Sequence, residues 1–344
     1  MITRERLETI LAGFPKLSIG LVGDLFLDRY LDIDPELAEH SIETGLEAYQ
    51  VTRIRNSPGA LGTVMNNLAA LGVGKLVPVT VLGDDGQAYD LLKALGLLPV
   101  NASHVLRDAD RLTPTYTKPM KRDAAGMWQE LNRLDLRNRA VMGSTTEGHL
   151  IEHLTAAFRA TAGLIVVDQV NEEGWGVITS RVRSHLTELA RSAPEKLIFI
   201  DSRTRVGLYK CGTLKPNVLE CLAALGRSPE ERKQPGVARS AALELSTKTG
   251  RPLFCTLGEA GMLVVQPPAE PVEVPSYPVH GPVDTVGAGD SATAGIVASL
   301  LAGATPVEAA AIGNLVASIT VQQLGTTGTA SPQQVLARWQ ETHA

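Results

Sequence analysis

Cysteine, aromatic side chains and surplus charge are all scarce in this 344-residue sequence, and each scarcity excludes something. The three cysteines, Cys211, Cys221 and Cys255, are odd in number and show no C-x-x-C spacing, so they make neither a disulfide framework nor a zinc site. They read as small buried apolar residues in a reducing compartment. Aromatics make up only 4%, too few for base-stacking platforms. Lys and Arg total 32 against 37 Asp and Glu, and a net charge of -5 disfavours nucleic acid and anionic membranes as partners. No apolar run approaches the roughly 18 residues of a membrane span. The opening MITRERLETILAGFPKLSIG is charged through its first turns and is not a secretory signal. The expectation is a soluble cytoplasmic protein.

What is present is a folding chain, 44% hydrophobic and 20% charged. Its length suits two domains of about 150 residues or one large α/β domain. Apolar, β-branched runs at 17–23, 76–82, 164–167, 197–200 and 253–257 each end in a glycine or a carboxylate, as strands buried on both faces of a parallel sheet do. Helix-like segments lie between them at 61–71, 87–95, 149–161, 178–193 and 237–247. Alternating β and α units predict a parallel, right-handed α/β sheet. Ligands bind at the carboxyl ends of such strands, which gathers Asp24, Asp84, Asp168, Asp201 and Gly258 on one edge.

Two regions break the rhythm. Segments 30–55 and 112–139 lack a helical period, and the second holds TYTKPM and WQELNRLDL joined by KRDAAG, a hairpin pattern with a glycine-containing turn. Together they predict a small antiparallel sheet inserted into one domain spanning 1–344, with edges that pair across a two-fold axis into a homodimer. Near the C-terminus, 290–301 and 306–323 are rich in Ala, Gly, Ser and Val, a composition for closely packed helices.

The sharpest local signal is Asp284-Thr285-Val286-Gly287-Ala288-Gly289-Asp290 ahead of a helix. Two glycines around an alanine let main-chain N–H groups converge, and a helix N-terminus adds partial positive charge. That makes an anion hole for a transferring phosphoryl group. Asp290 at its rim is placed to accept the proton of an attacking hydroxyl. The same string also fits a glycine-rich helix start with an N-capping Asp.

DTVGAGD resembles the C-terminal signature of the ribokinase-like (PfkB) carbohydrate kinases, and further pieces follow in that family's order. They are Gly23-Asp24, Pro58-Gly59 before a helix ending LAALG, Leu82-Gly83-Asp84-Asp85, Lys215-Pro216-Asn217-Val218-Leu219-Glu220, and Thr256-Leu257-Gly258-Glu259-Ala260-Gly261. The likeness covers about 15–335. Within the family, GDLFLDRY, TPTYTK with QELNRLD, and QQLGTTGTASP are similar to the heptose-7-phosphate kinase branch, which occurs alone or fused to a nucleotidyltransferase. No such second half is expected here, since the sequence stops at Ala344.

The resemblance implies a three-layer α/β/α fold with a small β-sheet lid, and an ATP-dependent phosphotransferase with an alcohol group as acceptor. Asp290 would be the base, and Gly287, Ala288 and Gly289 the anion hole. Asn217 and Glu220 would act near Mg²⁺ and the phosphates through water. Thr256, Gly258 and Gly261 would border the nucleotide, with Asn314 and the Gly325-Thr326 turn near the adenine. Asp24, Asp28, Gly59, Thr63, Lys118 and Asp168 would face the acceptor. Asp284 would be the expected ligand of a monovalent cation such as K⁺.

Departures from the family bear on the acceptor. Where GGAANVA is usual, the string is Gly59-Ala60-Leu61-Gly62-Thr63-Val64-Met65, so Ala60 replaces a glycine and Thr63 stands where a sugar-contacting asparagine is expected. Gln169-Val170-Asn171-Glu172 follows Asp168 without the branch's lysine. Sites built to hydrogen-bond a substrate discriminate strongly, so these changes allow a different sugar. In the opposite direction, Lys118, Lys121, Arg122, Arg133, Arg137 and Arg139 cluster in the lid, either to bind an acceptor's phosphate or as solvated charges. The alternatives are a nucleotide- or sugar-binding regulator that has lost efficient transfer, and a nucleoside or vitamin kinase, whose aromatic acceptors the few aromatics disfavour. Gly72-Val73-Gly74-Lys75 is not a P-loop, because Leu76 follows the lysine, and His149 with His153 lacks a third metal ligand.

Overall fold

A computed structural model describes residues 2–123, 126–325 and 327–343. Nine strands form the main sheet, in the order Val272–Val274, Met262–Val265, Leu253–Thr256, Thr213–Leu214, Leu197–Ser202, Gly163–Asp168, Ser18–Gly23, Lys75–Gly83 and Val105–Asp108. The last seven of these run parallel, and the first two close the other edge antiparallel. All five apolar runs are among them. The strands that the pattern did not reveal are short and lie toward the edges or, like Thr213–Leu214, consist of two residues.

Period-two alternation decides which layer each side chain enters. Ile165 and Val167 point into one apolar core, while Leu164 and Val166 point into the other. Helices Arg4–Leu11, Leu61–Ala70, Gly86–Leu95, Ala288–Leu301, Pro306–Thr320 and Pro332–His343 cover the first face. Helices Ser144–Ala160, Ser180–Ser192, Val218–Ala224 and Val237–Thr249 cover the second. Each fully buried Leu, Ile or Val contributes roughly 1.5–3 kcal/mol through removal from water. The small residues near the C-terminus bring two helices together, since a Cβ on Gly295 would stand 3.1 Å from the Gly313 Cα. The result is the three-layer α/β/α architecture with a mostly parallel sheet.

A separate sheet has the order Leu134–Leu136, Thr115–Arg122, Leu25–Ile33, Val51–Ala60, and Trp128–Glu130 also pairs with Thr115–Arg122. This is the expected small separate sheet, but it is mixed rather than antiparallel, because Leu25–Ile33 runs parallel to Thr115–Arg122, and its strands start and end outside the expected 30–55. Leu25–Ile33 follows the core strand Ser18–Gly23 after Asp24 alone, and Val51–Ala60 runs up to the first residue of the next helix. Only Asp24 separates the main-sheet strand from the lid strand, so the chain passes from one sheet to the other without a loop. The expected hairpin arm is split into Trp128–Glu130 and Leu134–Leu136. The direct connection matters for function, because it places Asp28 of the lid near the carboxyl edge of the main sheet. No helix among the described residues is long and apolar enough to cross a membrane.

Candidate active site

Helix Ala288–Leu301 begins from Gly287, which takes the left-handed conformation at φ 80° and ψ 1° that glycine adopts without penalty. No side chain caps this end. The Ala288 N–H reaches the Thr285 carbonyl at 3.2 Å. Those of Gly289 and Asp290 belong to a first turn that has no intrahelical acceptor. Helix polarity and these N–H groups leave partial positive charge at the helix start. Asp284 shapes the loop: its Oδ1 accepts from Val286 N at 3.0 Å and its Oδ2 from Gly325 N at 3.2 Å. A Cβ on Gly287 would lie 3.3 Å from Cγ2 of both Thr63 and Thr327, so the start of helix Leu61–Ala70 abuts the same loop. Thr326 lies outside the described residues.

Asp290 is half-buried, in the first turn of that helix. Burial, reinforced by the negative charge of Asp201 and more weakly of Asp28, pushes its carboxyl up to about 7, against the opposing pull of Lys215 and Arg203. A carboxylate that titrates near neutrality is matched to taking a proton from a hydroxyl. Lys215 and Asp201 form a buried ion pair, Nζ to Oδ2 at 2.9 Å, and Thr293 Oγ1 donates to the same Asp201 oxygen at 3.1 Å. A Cβ on Gly289 would stand 3.6 Å from Lys215 Nζ, which sets that ammonium beside the helix start. Burial pulls the Lys215 pKa down, yet Asp201, Glu220 and Asp290 outweigh it and the net shift is upward, so the group stays charged. Sequence reasoning quoted Lys215 only as part of a motif and assigned it no role. Its signal was its position two residues before Asn217.

Asn217 and Glu220 form a reciprocal cap on helix Val218–Ala224. Asn217 Oδ1 accepts from Glu220 N at 2.9 Å, and Glu220 Oε2 accepts from Asn217 N at 2.8 Å. This N-x-x-E pair therefore builds its own helix start. Burial raises the Glu220 carboxyl, with Asn217 N, Lys215 and Arg203 opposing, which places it in the electrostatic neighbourhood of Asp290. Thr256 N–H donates to the Pro216 carbonyl at 2.9 Å, tying strand Leu253–Thr256 to the same segment. Gly258 and Gly261 both have positive φ, and only at Gly261 is space also closed, with a Cβ 2.3 Å from the Val274 carbonyl oxygen. Asn314 spends both amide protons on the Val274 and Pro275 carbonyls, at 3.0 Å each, and so fixes the segment behind that turn.

Asp28, Gly59 and Lys118 stand together, whereas Thr63 lies against the Gly287 loop. Lys118 Nζ lies 3.3 Å from Asp28 Oδ1 and 3.2 Å from Tyr30 OH. A Cβ on Gly59 would be 2.6 Å from Asp28 Oδ2, so only glycine leaves that carboxylate its place. Ala60, where the family pattern has glycine, sits at φ 52° and ψ -111°, a strained conformation for a residue with a Cβ.

Asp24 and Asp168 both make their hydrogen bonds within the protein. Asp24 was expected to face the acceptor, but it is buried and its oxygens accept the main-chain N–H groups of Gln169, Val170 and Val177 at 2.9, 3.0 and 2.7 Å. Asp168 is buried under Arg205 Nη1 at 2.9 Å, Ser202 Oγ at 2.8 Å and Tyr209 OH at 3.0 Å, and its carboxyl rises to about 6 through burial and the nearby Asp24. Strand-end position could not show that the 169–177 loop folds back onto Asp24, or that Asp168 is held by Ser202, Arg205 and Tyr209. Arg203, which sequence reasoning passed over, is exposed on the edge, and its charge is felt by Asp290 and Glu220.

Comparison with known proteins agrees with this architecture. A model described as pfkB family carbohydrate kinase matches residues 26–334. The chain is 28% identical over 334 residues to the bifunctional protein HldE of Pelobacter propionicus, covering 97% of this chain and 65% of that protein. It is 30% identical over 315 residues to the HldE of Desulfatibacillum aliphaticivorans, covering 91% and 61%. The chain thus spans less than two thirds of the length of these relatives. Among solved structures, Arabidopsis thaliana ribokinase complexed with ribose and ATP superposes with a TM-score of 0.67 at 17% identity, covering 94% of this chain and 98% of that one. Escherichia coli phosphofructokinase-2 in complex with potassium gives 0.70 at 19% identity, covering 95% and 100%.

Proposed function

The chain belongs to the pfkB family of carbohydrate kinases, and from that membership we propose that it transfers the γ-phosphoryl group of ATP to a hydroxyl of a sugar or sugar phosphate, with Asp290 as the base. The observation that carries the reading is the conjunction of an uncapped helix N-terminus with a carboxyl held near 7 in that helix's first turn. The acceptor hydroxyl gives its proton to Asp290 as its oxygen attacks the γ-phosphorus, and ADP leaves. N–H groups of Gly289 and Asp290, with Lys215 beside them, receive the charge of the moving phosphoryl group. Asp28, oriented by Lys118 and Tyr30, binds acceptor hydroxyls. Thr256, Gly258 and Gly261 border the nucleotide.

Among the described residues no three His, Cys, Asp or Glu side chains stand together as a metal cluster. That donor set suits Mg²⁺ carried mainly by nucleotide phosphates and water, with Glu220 and Asn217 as outer contacts. Mg²⁺ would neutralise phosphate charge. We assign Asp284 to a monovalent cation beside the loop, tested by K⁺ dependence of the rate. The exposed apolar residues Ile42, Leu46 and Ile54 of the lid region support a homodimer through this sheet, which light scattering at micromolar protein checks. Three buried free cysteines suit the cytoplasm.

The test is ADP release from MgATP with a panel comparing heptose 7-phosphate, hexose phosphates and free sugars. Acceptor-dependent ADP release that disappears in Asp290→Asn supports the proposal. ATP binding with no turnover on any acceptor favours a regulator instead.

A further inference from the structure

His149 and His153 stand one turn apart on helix Ser144–Ala160. Residues four apart share a helix face, with Cβ atoms about 5–6 Å from each other. Two imidazoles alone make a poor metal site, and the sequence shows no third beside them. The fold brings one from 49 positions away: His104 Nδ1 lies 3.1 Å from His153 Nδ1. The ring centroids are 5.1 Å apart and the ring planes meet at 82°. His104 ends the turn Ala102–His104, directly ahead of the edge strand Val105–Asp108. It therefore sits at the amino end of a parallel strand, on the opposite edge of the sheet from Asp290.

The spacing suits an ion. A first-row divalent cation holds imidazole nitrogens at about 2.0–2.1 Å, so two of its ligands stand about 2.9 Å apart at a right angle and about 3.4 Å apart at the tetrahedral angle. The two Nδ1 atoms fall between these limits. With both rings neutral, one Nδ1 donates to the other through a single proton. An ion takes the place of that proton and accepts both lone pairs. Burial, aided by His153, holds His104 below the usual imidazole range, so it is neutral at pH 7, the form that ligates.

The remaining ligand is at hand. Among the described residues no three His, Cys, Asp or Glu side chains already stand together, so a third must rotate in. His149 is exposed, and its side chain makes no hydrogen bond or ion pair among the described residues that would hold it back. The helix has no Lys or Arg from 144 to 158, while Glu147 and Glu152 give this stretch negative charge. Strand and helix are also joined at a second point, where Thr146 Oγ1 donates to Asp108 Oδ2 at 2.7 Å. Two attachments fix the distance between the elements before an ion arrives, which lowers the entropic cost of binding.

We propose that His104 and His153, completed by His149, bind one Zn²⁺-class transition-metal ion with water in the fourth position, pinning the start of the edge strand to helix Ser144–Ala160. Three imidazoles and no carboxylate favour Zn²⁺, Ni²⁺ or Cu²⁺ over Mg²⁺, which takes oxygen ligands. The ion is thus distinct from any Mg²⁺ carried by a nucleotide, and its work is to clip the fold together at this edge.

The experiment strips the full chain with a chelator and titrates it with Zn²⁺ by calorimetry, in excess Mg²⁺ and a non-coordinating buffer, alongside thermal melts with and without Zn²⁺. The wild type should bind one Zn²⁺ per chain with micromolar affinity or better. Affinity should fall at least tenfold in His104→Gln and in His153→Gln, and by about tenfold in His149→Gln. Zn²⁺ should raise the melting temperature of the wild type and leave that of His104→Gln unmoved. His149 is exposed, so His149→Gln keeps the fold should a variant of the half-buried pair fail to. Absence of Zn²⁺ binding to the wild type at about 100 μM overturns the site, as does affinity unchanged in His104→Gln or His153→Gln. Affinity unchanged in His149→Gln overturns the three-ligand set. Loss of Zn²⁺ binding to competing Mg²⁺ also contradicts the proposal, since the ligands would then be oxygens.

Discussion

Lys215 Nζ lies 2.9 Å from Asp201 Oδ2, in a pair whose side chains are only 5% and 9% exposed, directly beside the helix that starts at Gly287. The pair explains how a lysine remains charged in the interior next to an anion hole. Removing one partner of such a pair leaves an uncompensated buried charge, which costs about 3–5 kcal/mol. Lys215→Met is expected to lower thermal stability by that order. Because Lys215 also pulls the Asp290 pKa down, the acid limb of the pH–rate profile should move to higher pH in the variant. Unchanged stability and an unchanged limb would remove Lys215 from this position in the site.

Asp290 links catalysis to stability with a definite sign. A carboxyl near 7 in the folded protein is well above its unfolded value. The kcat/KM should therefore rise with pH through about 7 and level off above it, since the base must be ionised. For stability the direction is opposite. The favourable contribution is complete below the unfolded pKa and is lost as pH rises through about 7. Asp290→Asn should thus be more stable than the wild type at pH 8, on the order of 2 kcal/mol after allowing for partial exposure, with the gap closing toward pH 4. Chemical denaturation across pH checks this.

Asp24 and Asp28 are four residues apart, and the structure gives them different work. Asp24→Asn weakens three main-chain contacts to the 169–177 loop and should cost about 1–3 kcal/mol of stability. Asp28→Asn leaves Lys118 without its carboxylate in a pair whose side chains are 11% and 12% exposed, so it should also cost a few kcal/mol, and it alone should raise the acceptor KM. Denaturation midpoints and steady-state kinetics on both variants separate the roles.

Backbone conformation supplies a third contrast. Gly261→Ala places a Cβ 2.3 Å from the Val274 carbonyl at φ 98° and should destabilise the Gly258–Gly261 turn by more than about 2 kcal/mol. Gly258→Ala meets no atom within 4 Å and should cost only the left-handed φ, about 1 kcal/mol. Ala60→Gly relieves the strained φ of 52° and should stabilise by about 1 kcal/mol. Melting temperatures of the three variants test the order.

Much of this molecule was legible in the sequence because its signals were local. Five apolar runs ending in Gly or Asp marked buried parallel strands, and the run from Asp284 to Asp290 marked a glycine-initiated helix. What escaped were relationships that depend on chain return. Asp24 and Asp168 look like neighbouring strand-end acids, yet Asp24 accepts from main-chain N–H groups of the 169–177 loop and Asp168 from Ser202, Arg205 and Tyr209. The lid's true start at Leu25 was hidden because no turn residue except Asp24 separates it from the core strand. His104 carries no motif, and only the folded chain shows that it meets His153.

The most direct measurement of the central claim is single-turnover phosphoryl transfer by Asp290→Asn on whichever acceptor the wild type uses, alongside nucleotide affinity. The account predicts nucleotide affinity close to the wild type's and transfer slowed by about 10²–10⁴-fold. Transfer at the wild-type rate would contradict it, because the proton of the attacking hydroxyl would then be leaving by a route that does not involve Asp290.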